Sequence, residues 1–129
     1  MFNFAGKRPT NLGVKNGKLA PPPPTPNCVH SQSDDPRYKI EPLPPVPISQ
    51  IKKVIEGMER TKIIKETDDY LYAEFTSKLM GFVDDVEFYL DRDANVVHVR
   101  SASRLGKSDL GVNRQRIEEI RARLAKLSV

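Results

Sequence analysis

The chain has 129 residues and a formal net charge of +4, with 38% hydrophobic and 29% charged residues. This length and composition are typical of one globular domain, and no apolar run approaches the roughly 20 residues that cross a bilayer. The charge falls well short of the concentrated basic patch of a dedicated nucleic-acid binder, so we expect no nucleic-acid partner.

The N-terminal residues and the single cysteine bear on the compartment. The opening stretch MFNFAGKRPTNLGV lacks the basic and then apolar layout of a secretory signal, so we expect none. Cys28 has no second cysteine to pair with, which suits a reducing compartment. Both observations predict a cytoplasmic protein.

The first 47 residues hold all 11 prolines of the chain. Runs such as 21–24 and 42–47 favour extended polyproline II, because proline fixes φ and donates no backbone hydrogen bond. We predict a proline-rich arm over residues 1–46, either solvated or lying along the surface, and partly packed from about residue 27. Its apolar residues worth burying are Val29, Tyr38, Ile40 and Leu43. Recognition of the prolines by another protein is a third reading.

Two amphipathic helices are predicted in a compact domain over residues 47–129. The first spans roughly 47–59 and begins at Pro47, whose missing donor costs nothing in a first turn. The second ends the chain and takes Asn113 as its N-cap. Each carries an apolar stripe at spacings of three and four, made of Ile48, Ile51, Ile55 and Met58 in the first helix and Ile117, Ile120, Leu124 and Leu127 in the second.

Between the helices, alternation of apolar and polar residues predicts strands at 62–67, 70–77, 85–91 and 95–102, with a hairpin turn at 92–95. Each strand has one apolar face. We therefore predict a two-layer α+β fold, with an antiparallel sheet of three to four strands covered on one face by two helices. The other face would hold Tyr70, Tyr72, Glu74, Glu87, Tyr89, His98 and Arg100. That face is either half covered by the arm or a contact surface, and its acids argue against RNA stacking.

Polar side chains concentrate in residues 100–116 (RSASRLGKSDLGVNRQR), between the last strand and the last helix. Guanidinium groups, hydroxyls and glycines beside a helix N-terminus are features of an anion site. The spacings of a P-loop and of GxGxxG are absent. The candidate ligand-binding residues here are Arg100, Ser101, Ser103, Arg104, Asp109, Asn113 and Arg114. The alternative is a structural loop, with serines capping turns and arginines paired to Asp84, Asp85 or Asp109.

Two short motifs also carry possible chemistry. Asp84 and Asp85 are neighbours in a strand and point to opposite faces, which favours one structural ion pair over a shared metal or proton. Cys28 lies near His30, but one cysteine and two histidines are too few for a closed zinc site. A catalytic Cys–His pair would need an orienting group that is not visible, so we expect Cys28 to be semi-buried and structural. We predict no cofactor, no metal and no catalytic residue.

Four blocks of the sequence, PNCV followed by SQ, then GFVDDVEF, RSASRLG and SDLGVNR, resemble a known family. In content and order they are similar to the domain-of-unknown-function family 1499, over about residues 20–127. Residues 6–14 (GKRPTNLGV) resemble its cyanobacterial and plant branch, which includes chloroplast-targeted forms. The resemblance would place the protein in the chloroplast stroma or at the thylakoid surface if its organism bears plastids.

The resemblance implies no activity, because the family has no established one. It marks the residues to watch as Asn27, Cys28, Asp84, Asp85, Arg100, Ser101, Ser103, Arg104, Asp109, Asn113 and Arg114. The family that this chain resembles has members with a further cysteine a few residues before the NCV motif, where this chain has prolines 21–24. A disulfide or metal site made by that cysteine and Cys28 is therefore not expected here.

These observations predict a non-enzymatic binding or accessory module. Its arginine–serine loop, closed over by Asn27 and Cys28, would bind an anionic group or a protein partner. A second hypothesis is a small enzyme acting on an anionic small molecule, with Cys28 or Asp85 as the reactive group. A third is an adaptor that uses the proline-rich arm. The sequence makes no prediction of the oligomeric state.

Overall fold

The computed structural model describes residues 4–106 and 108–127. The first three residues of the predicted arm, Lys107 of the predicted polar loop, and residues 128–129 of the predicted domain lie outside this range. Within it, no helix combines the length and the apolar character needed to cross a membrane.

The described residues form two helices and seven strands. Helix α1 spans Ile48–Glu56, and helix α2 spans Val112–Leu127. A small hairpin comes first, formed by β1 (Val14–Lys15) and β2 (Lys18–Leu19). The remaining strands, in chain order, are β3 (Cys28–His30), β4 (Thr61–Glu66), β5 (Tyr70–Thr76), β6 (Val83–Asp91) and β7 (Val96–Ser103).

The main sheet has five antiparallel strands in the order β3-β7-β6-β5-β4. The α+β class and the antiparallel sheet with two helices are confirmed, and the last four strands lie close to their predicted positions. The predicted count of three to four strands is wrong, because Cys28–His30 of the arm pairs with β7 as a fifth strand. Three residues are too few to show an alternating pattern, so the sequence carries no strand signal there.

The core lies between the inner face of the sheet and the two helices, and the arm also contributes to it. Val29, Ile40 and Leu43 belong to the same buried cluster as the helix and sheet residues. Leu43 also exchanges two backbone hydrogen bonds with Val97 of β7, at 2.8 and 2.9 Å. The largest fully buried apolar side chains include Phe88, Leu43, Ile51, Ile55, Leu71, Ile117 and Ile120. The arm is therefore part of the packed structure in the described residues.

Helix α2 differs from its prediction at both ends. It begins at Val112, so Asn113 lies inside the first turn and is not the N-cap. Instead, the carboxylate of Asp109 accepts the backbone N–H groups of Gly111, at 2.9 Å, and Asn113, at 3.1 Å. At the other end, Leu127 was expected in the buried stripe but is 47% exposed.

The outer face of the sheet is covered by the first part of the arm. Leu19 of the hairpin packs against Tyr70 and Tyr72. The guanidinium of Arg100 donates to the backbone carbonyls of Ala20, at 3.0 Å, and Pro21, at 3.2 Å. Arg100 of the sheet thus supplies hydrogen-bond donors to the backbone carbonyls of the proline-rich segment. The prolines of that segment have no backbone N–H with which to pair in a strand.

Candidate functional site

The predicted site residues of β6 and β7 are divided between the two faces of the sheet. Adjacent side chains of a strand point to opposite faces, and the register pairs Asp84 with Ser103 and Glu87 with Arg100. Asp84 and Ser103 therefore face the helices, whereas Asp85 and Arg100 face the arm. The structure does not bring the arginines and the serines of residues 100–104 together into one site.

On the outer face, Arg104 lies in a buried ionic cluster. Its Nε and Nη2 donate to the two carboxylate oxygens of Asp85, each at 2.8 Å, and Nη2 also donates to Glu74. Tyr72 donates its hydroxyl to Asp85 as well. Burial and this hydrogen bond raise the pKa of Tyr72. Glu74 is shared with Arg8 of the arm, whose Nε lies 2.7 Å from it. Arg104 is thus neutralised by the protein's own carboxylates.

Beside this cluster lies Glu87, which sequence reasoning placed on the outer face but not among the site residues. Its side chain is fully buried, and Oε2 accepts hydrogen bonds from Tyr70, at 2.5 Å, and from the backbone of Gly13, at 2.8 Å. Its Oε1 has no hydrogen-bond partner among the described residues and lies 4.0 Å from Nη1 of Arg100. Burial raises the pKa of Glu87, although its hydrogen bonds from Tyr70 and Gly13 oppose the shift. The signal that could have identified Glu87 is that it lies directly opposite Arg100 when β6 and β7 are paired.

A cavity of about 350 Å³ lies between this face and the arm. Prolines 21–23 form one wall, and Asp85, Arg100 and Arg104 form the other. Arg100 donates to two arm carbonyls, and Arg104 is bound to acids. The cavity is therefore lined by charges that already have partners, which makes it a poor site for an added anion.

On the inner face, the side-chain amide of Asn113 holds together three parts of the chain. The residue is fully buried, and Nδ2 donates to the backbone of Asn27, at 3.2 Å, to Ser103, at 2.9 Å, and to Asp109, at 2.8 Å. Its Oδ1 accepts the hydroxyl of Ser101 at 2.6 Å. These five predicted site residues meet in one network, and the contacts join the end of β7, the start of β3 and the start of α2.

Arg116 joins this network, although the sequence pointed to Arg114. Nη1 of Arg116 donates to Oδ1 of Asn113 at 2.8 Å and to the hydroxyl of Ser101 at 3.2 Å. Its Nη2 lies 2.8 Å from the carboxylate of Asp84, and its guanidinium stacks over the ring of Phe75, 4.9 Å from the centroid. In the described part of the chain, Arg114 has no carboxylate partner. Helical spacing explains the difference, because Arg116 lies three residues after the buried Asn113 and so shares its face.

A second cavity, of about 470 Å³, opens where β6 begins and β7 ends. We call it the loop cavity, because it lies between loop 77–82, which joins β5 to β6, and residues 104–106 and 108–111 of the loop that joins β7 to α2. Most of its wall is apolar and is formed by Phe75, Phe82, Leu105, Leu110 and Val112. Its polar lining includes Asp84, Ser103, Asp109 and Arg116. The predicted polar loop therefore borders a cavity with a largely apolar surface.

The family model described as "Protein of unknown function (DUF1499)" matches residues 18–124. The chain belongs to this family. The match confirms the resemblance expected from the sequence blocks, and it spans the inner network and both cavity-lining loops. No curated protein and no solved structure matches the chain.

Cys28 of this DUF1499 chain is buried rather than semi-buried. It is packed with Tyr38 and Ala102, and its Sγ donates to the carbonyl of Val29 at 3.4 Å. Burial raises the pKa of the Cys28 thiol to about 11. In the described residues, no group of three or more histidine, cysteine, aspartate or glutamate side chains is placed to hold a metal ion. The packing of Cys28 fits a structural role.

Alkylation kinetics will test this role of Cys28. Near pH ~8, the shift of its pKa from 9.0 to about 11 lowers the thiolate fraction by about 100-fold, and burial slows access further. We expect iodoacetamide to modify the folded DUF1499 chain at least about 100-fold more slowly than the urea-unfolded chain, as followed by mass spectrometry. Equal rates in the two states would revive the reactive-cysteine hypothesis.

Proposed function

We propose that this DUF1499 chain is a non-enzymatic binding or accessory module, and that its binding site is the loop cavity. One observation carries the proposal. Of the seven large apolar side chains that are exposed among the described residues, six belong to the cavity or to its two loops. They are Leu79, Met80, Phe82, Leu105, Leu110 and Val112. Exposed apolar side chains gathered at one place on a small domain are a frequent mark of an interaction site.

The polar lining of the cavity supports binding and orientation. Asp84 and Arg116 form an ion pair at its wall, and the carboxylate of Asp109 is held by backbone and side-chain donors of α2. Burial opposes ionisation of Asp109, but the hydrogen bonds from Asn113 and from the backbone of Gly111 together outweigh it, so that the pKa of Asp109 is lowered. These fixed charges can orient a polar group of a ligand whose apolar part fills the cavity.

The proposal keeps the predicted loop but changes the groups that make contact. The sequence suggested that Arg100 and Arg104 hold an anion. Both guanidinium groups have partners within the chain, so an anion would have to displace a buried carboxylate or the arm. Leu105 and Leu110 of the same loop are exposed and line the loop cavity. Recognition is therefore proposed to depend on these leucines.

Fragment binding observed by NMR will test the site. We expect small apolar fragments to shift the backbone amide signals of residues 77–84 and 103–112 in the ¹⁵N-labelled chain. Val112→Asp is expected to weaken the tightest fragment by about 10-fold, because a charge then replaces apolar wall surface. Aspartate suits the first turn of a helix, so this variant should fold. Leu127→Asp, the matched exposed control, should leave affinity unchanged. Shifts confined to the cavity under the arm would contradict the proposal.

We also propose that the protein belongs to the cyanobacterial and plant branch and works in a reducing compartment. Residues 6–14 support the branch, and they lie before the matched range 18–124. The free, buried thiol of Cys28 supports the compartment. Fractionation of the native cells, with the protein detected by antibody, will test this placement.

A further inference from the structure

We propose that the loop cavity and its two loops form a docking surface for an anionic membrane, with Leu79 and Leu110 entering the acyl region. The inference rests on the proposed function, because it names the partner of the same site. It is carried by the position of the loops, the exposure of their leucines, one strained backbone position and the local charge.

The two loops leave the same end of the sheet. The register pairs Thr76 with Val83 and Asp84 with Ser103, so the end of β5, the start of β6 and the end of β7 lie side by side. The arm adds to this end through Phe4, whose ring stacks on Phe82 with 5.1 Å between the centroids. Apolar side chains from three separate segments thus meet at one end of the molecule.

The leucines at the tips of the loops are open to solvent. Leu79 and Leu110 are each 90% exposed. Their bulk therefore contributes little to the packing of the fold. Side chains that project from loop tips suit insertion into the soft interfacial region of a bilayer, which accommodates an irregular set of apolar groups. A protein partner would need pockets matched to each projecting tip.

Leu110 is also held in an unfavourable backbone conformation. Its φ is 53°, in the left-handed region that side chains such as leucine rarely adopt. Glycine or asparagine would occupy this position at lower cost, and the exposed leucine gains no packing in return. A leucine kept at a strained φ without a gain in packing suggests that its side chain serves a function. Contact with an apolar medium outside the protein supplies that reason.

The charges at this end favour an anionic surface. Lys78 precedes Leu79 in the loop, and Lys7 follows Gly6, which lies against Leu105. Neither lysine has a carboxylate partner among the described residues. Three acids line the cavity. Asp84 is paired with Arg116, Glu59 is paired with Arg60, and Asp109 caps α2. The two lysines are therefore free to contact lipid headgroups, whereas these acids are already paired with an arginine or hydrogen-bonded to α2.

Vesicle binding will test the proposal with the full chain. We expect it to co-sediment with vesicles of phosphatidylcholine that contain about one-third phosphatidylglycerol, and to bind pure phosphatidylcholine several-fold more weakly. Leu79→Asp should reduce binding by about 10-fold, and Lys78→Glu by about 5-fold. Leu127→Asp, a change of the same kind at a distant exposed leucine, should bind as the unmodified chain does.

Two further variants separate docking from an effect on folding. Leu110→Asn relieves the backbone strain, so we expect equal or greater resistance to urea together with weaker vesicle binding. The chain has no tryptophan, so Leu79→Trp provides a single tryptophan that can be excited selectively. Its emission should shift to the blue on adding the anionic vesicles, and that of Leu127→Trp should not shift.

Specific results would overturn the membrane proposal. One is a chain that stays in the supernatant with both kinds of vesicle, and another is binding that Leu79→Asp and Leu110→Asn leave unchanged. If vesicles fail while apolar fragments still shift residues 77–84 and 103–112, the membrane proposal is wrong and the binding site stands. Saturable binding of a peptide at the cavity without vesicle binding would likewise replace the membrane with a protein partner.

Discussion

Replacing Arg104 with alanine is expected to lower the free energy of unfolding by about 3–5 kcal/mol. The Arg104 side chain is 7% exposed and bonds both oxygens of Asp85, while Nη2 also binds Glu74. Its removal would leave two carboxylates facing each other on the outer face of the sheet without their main counter-charge. This cost makes Arg104 a structural arginine, whatever else it contacts.

Urea unfolding followed by circular dichroism will measure this effect. The matched control is Arg8→Ala, which removes the other arginine on Glu74. Arg8 is 50% exposed and its ion pair is screened by solvent, so its loss should cost much less than that of Arg104. If Arg104→Ala were as mild as Arg8→Ala, the ionic cluster would not support the fold, and a ligand role for Arg104 would regain interest.

The isolated segment 47–129 is expected to be unfolded. It lacks strand β3 and loses Val29, Ile40 and Leu43 from the core. Burial of three such side chains is worth about 5–9 kcal/mol in total, at about 1.5–3 kcal/mol each. That amount is comparable with the whole stability of a small domain, which is about 5–15 kcal/mol. Without β3, the edge of β7 would also lose its hydrogen-bond partners.

Dispersion of the amide signals in a ¹⁵N–¹H spectrum will decide this result. A chain of residues 18–129 is the control, because it starts where the family match starts and keeps β3 and the three core residues. We expect this control to fold with reduced stability, since it loses Arg8 and the backbone donor of Gly13 to Glu87. A well-dispersed spectrum from 47–129 would show that the arm is dispensable for folding.

Local patterns in the sequence were sufficient for most of the secondary structure. The alternation of Leu71, Ala73 and Phe75 with polar residues predicted β5 and its inward face, and all three are buried in the core. The stripe of Ile117, Ile120 and Leu124 gave α2 its inward face in the same way. Each of these patterns is visible within a short stretch of sequence, because the strand and helix periods are properties of the local backbone.

The sequence offered arginines paired to Asp84, Asp85 or Asp109 as an alternative, but local patterns could not decide which distant residues pair. The pairing of Arg104 with Asp85, and of Arg116 with Asp84, depends on strand register and on how α2 crosses the sheet. A shift of register by one residue would exchange the two faces of β7 and separate these partners. The candidate residues were therefore named from their chemistry, and Asp84 and Asp85 were expected on opposite faces, but the outer ionic cluster and the inner amide network were not foreseen.

The amino-acid sequence by itself determined the fold class, the two helices, four of the sheet strands and the family. These depend on periodicity and on residue blocks that are read along the chain. Only the tertiary structure decided that the arm supplies β3 and part of the core, that the arginines are internally paired, and that exposed leucines meet at one end. The physical reason is that pairing and burial join residues far apart in sequence, such as Leu43 with Val97, and only the folded chain brings them together.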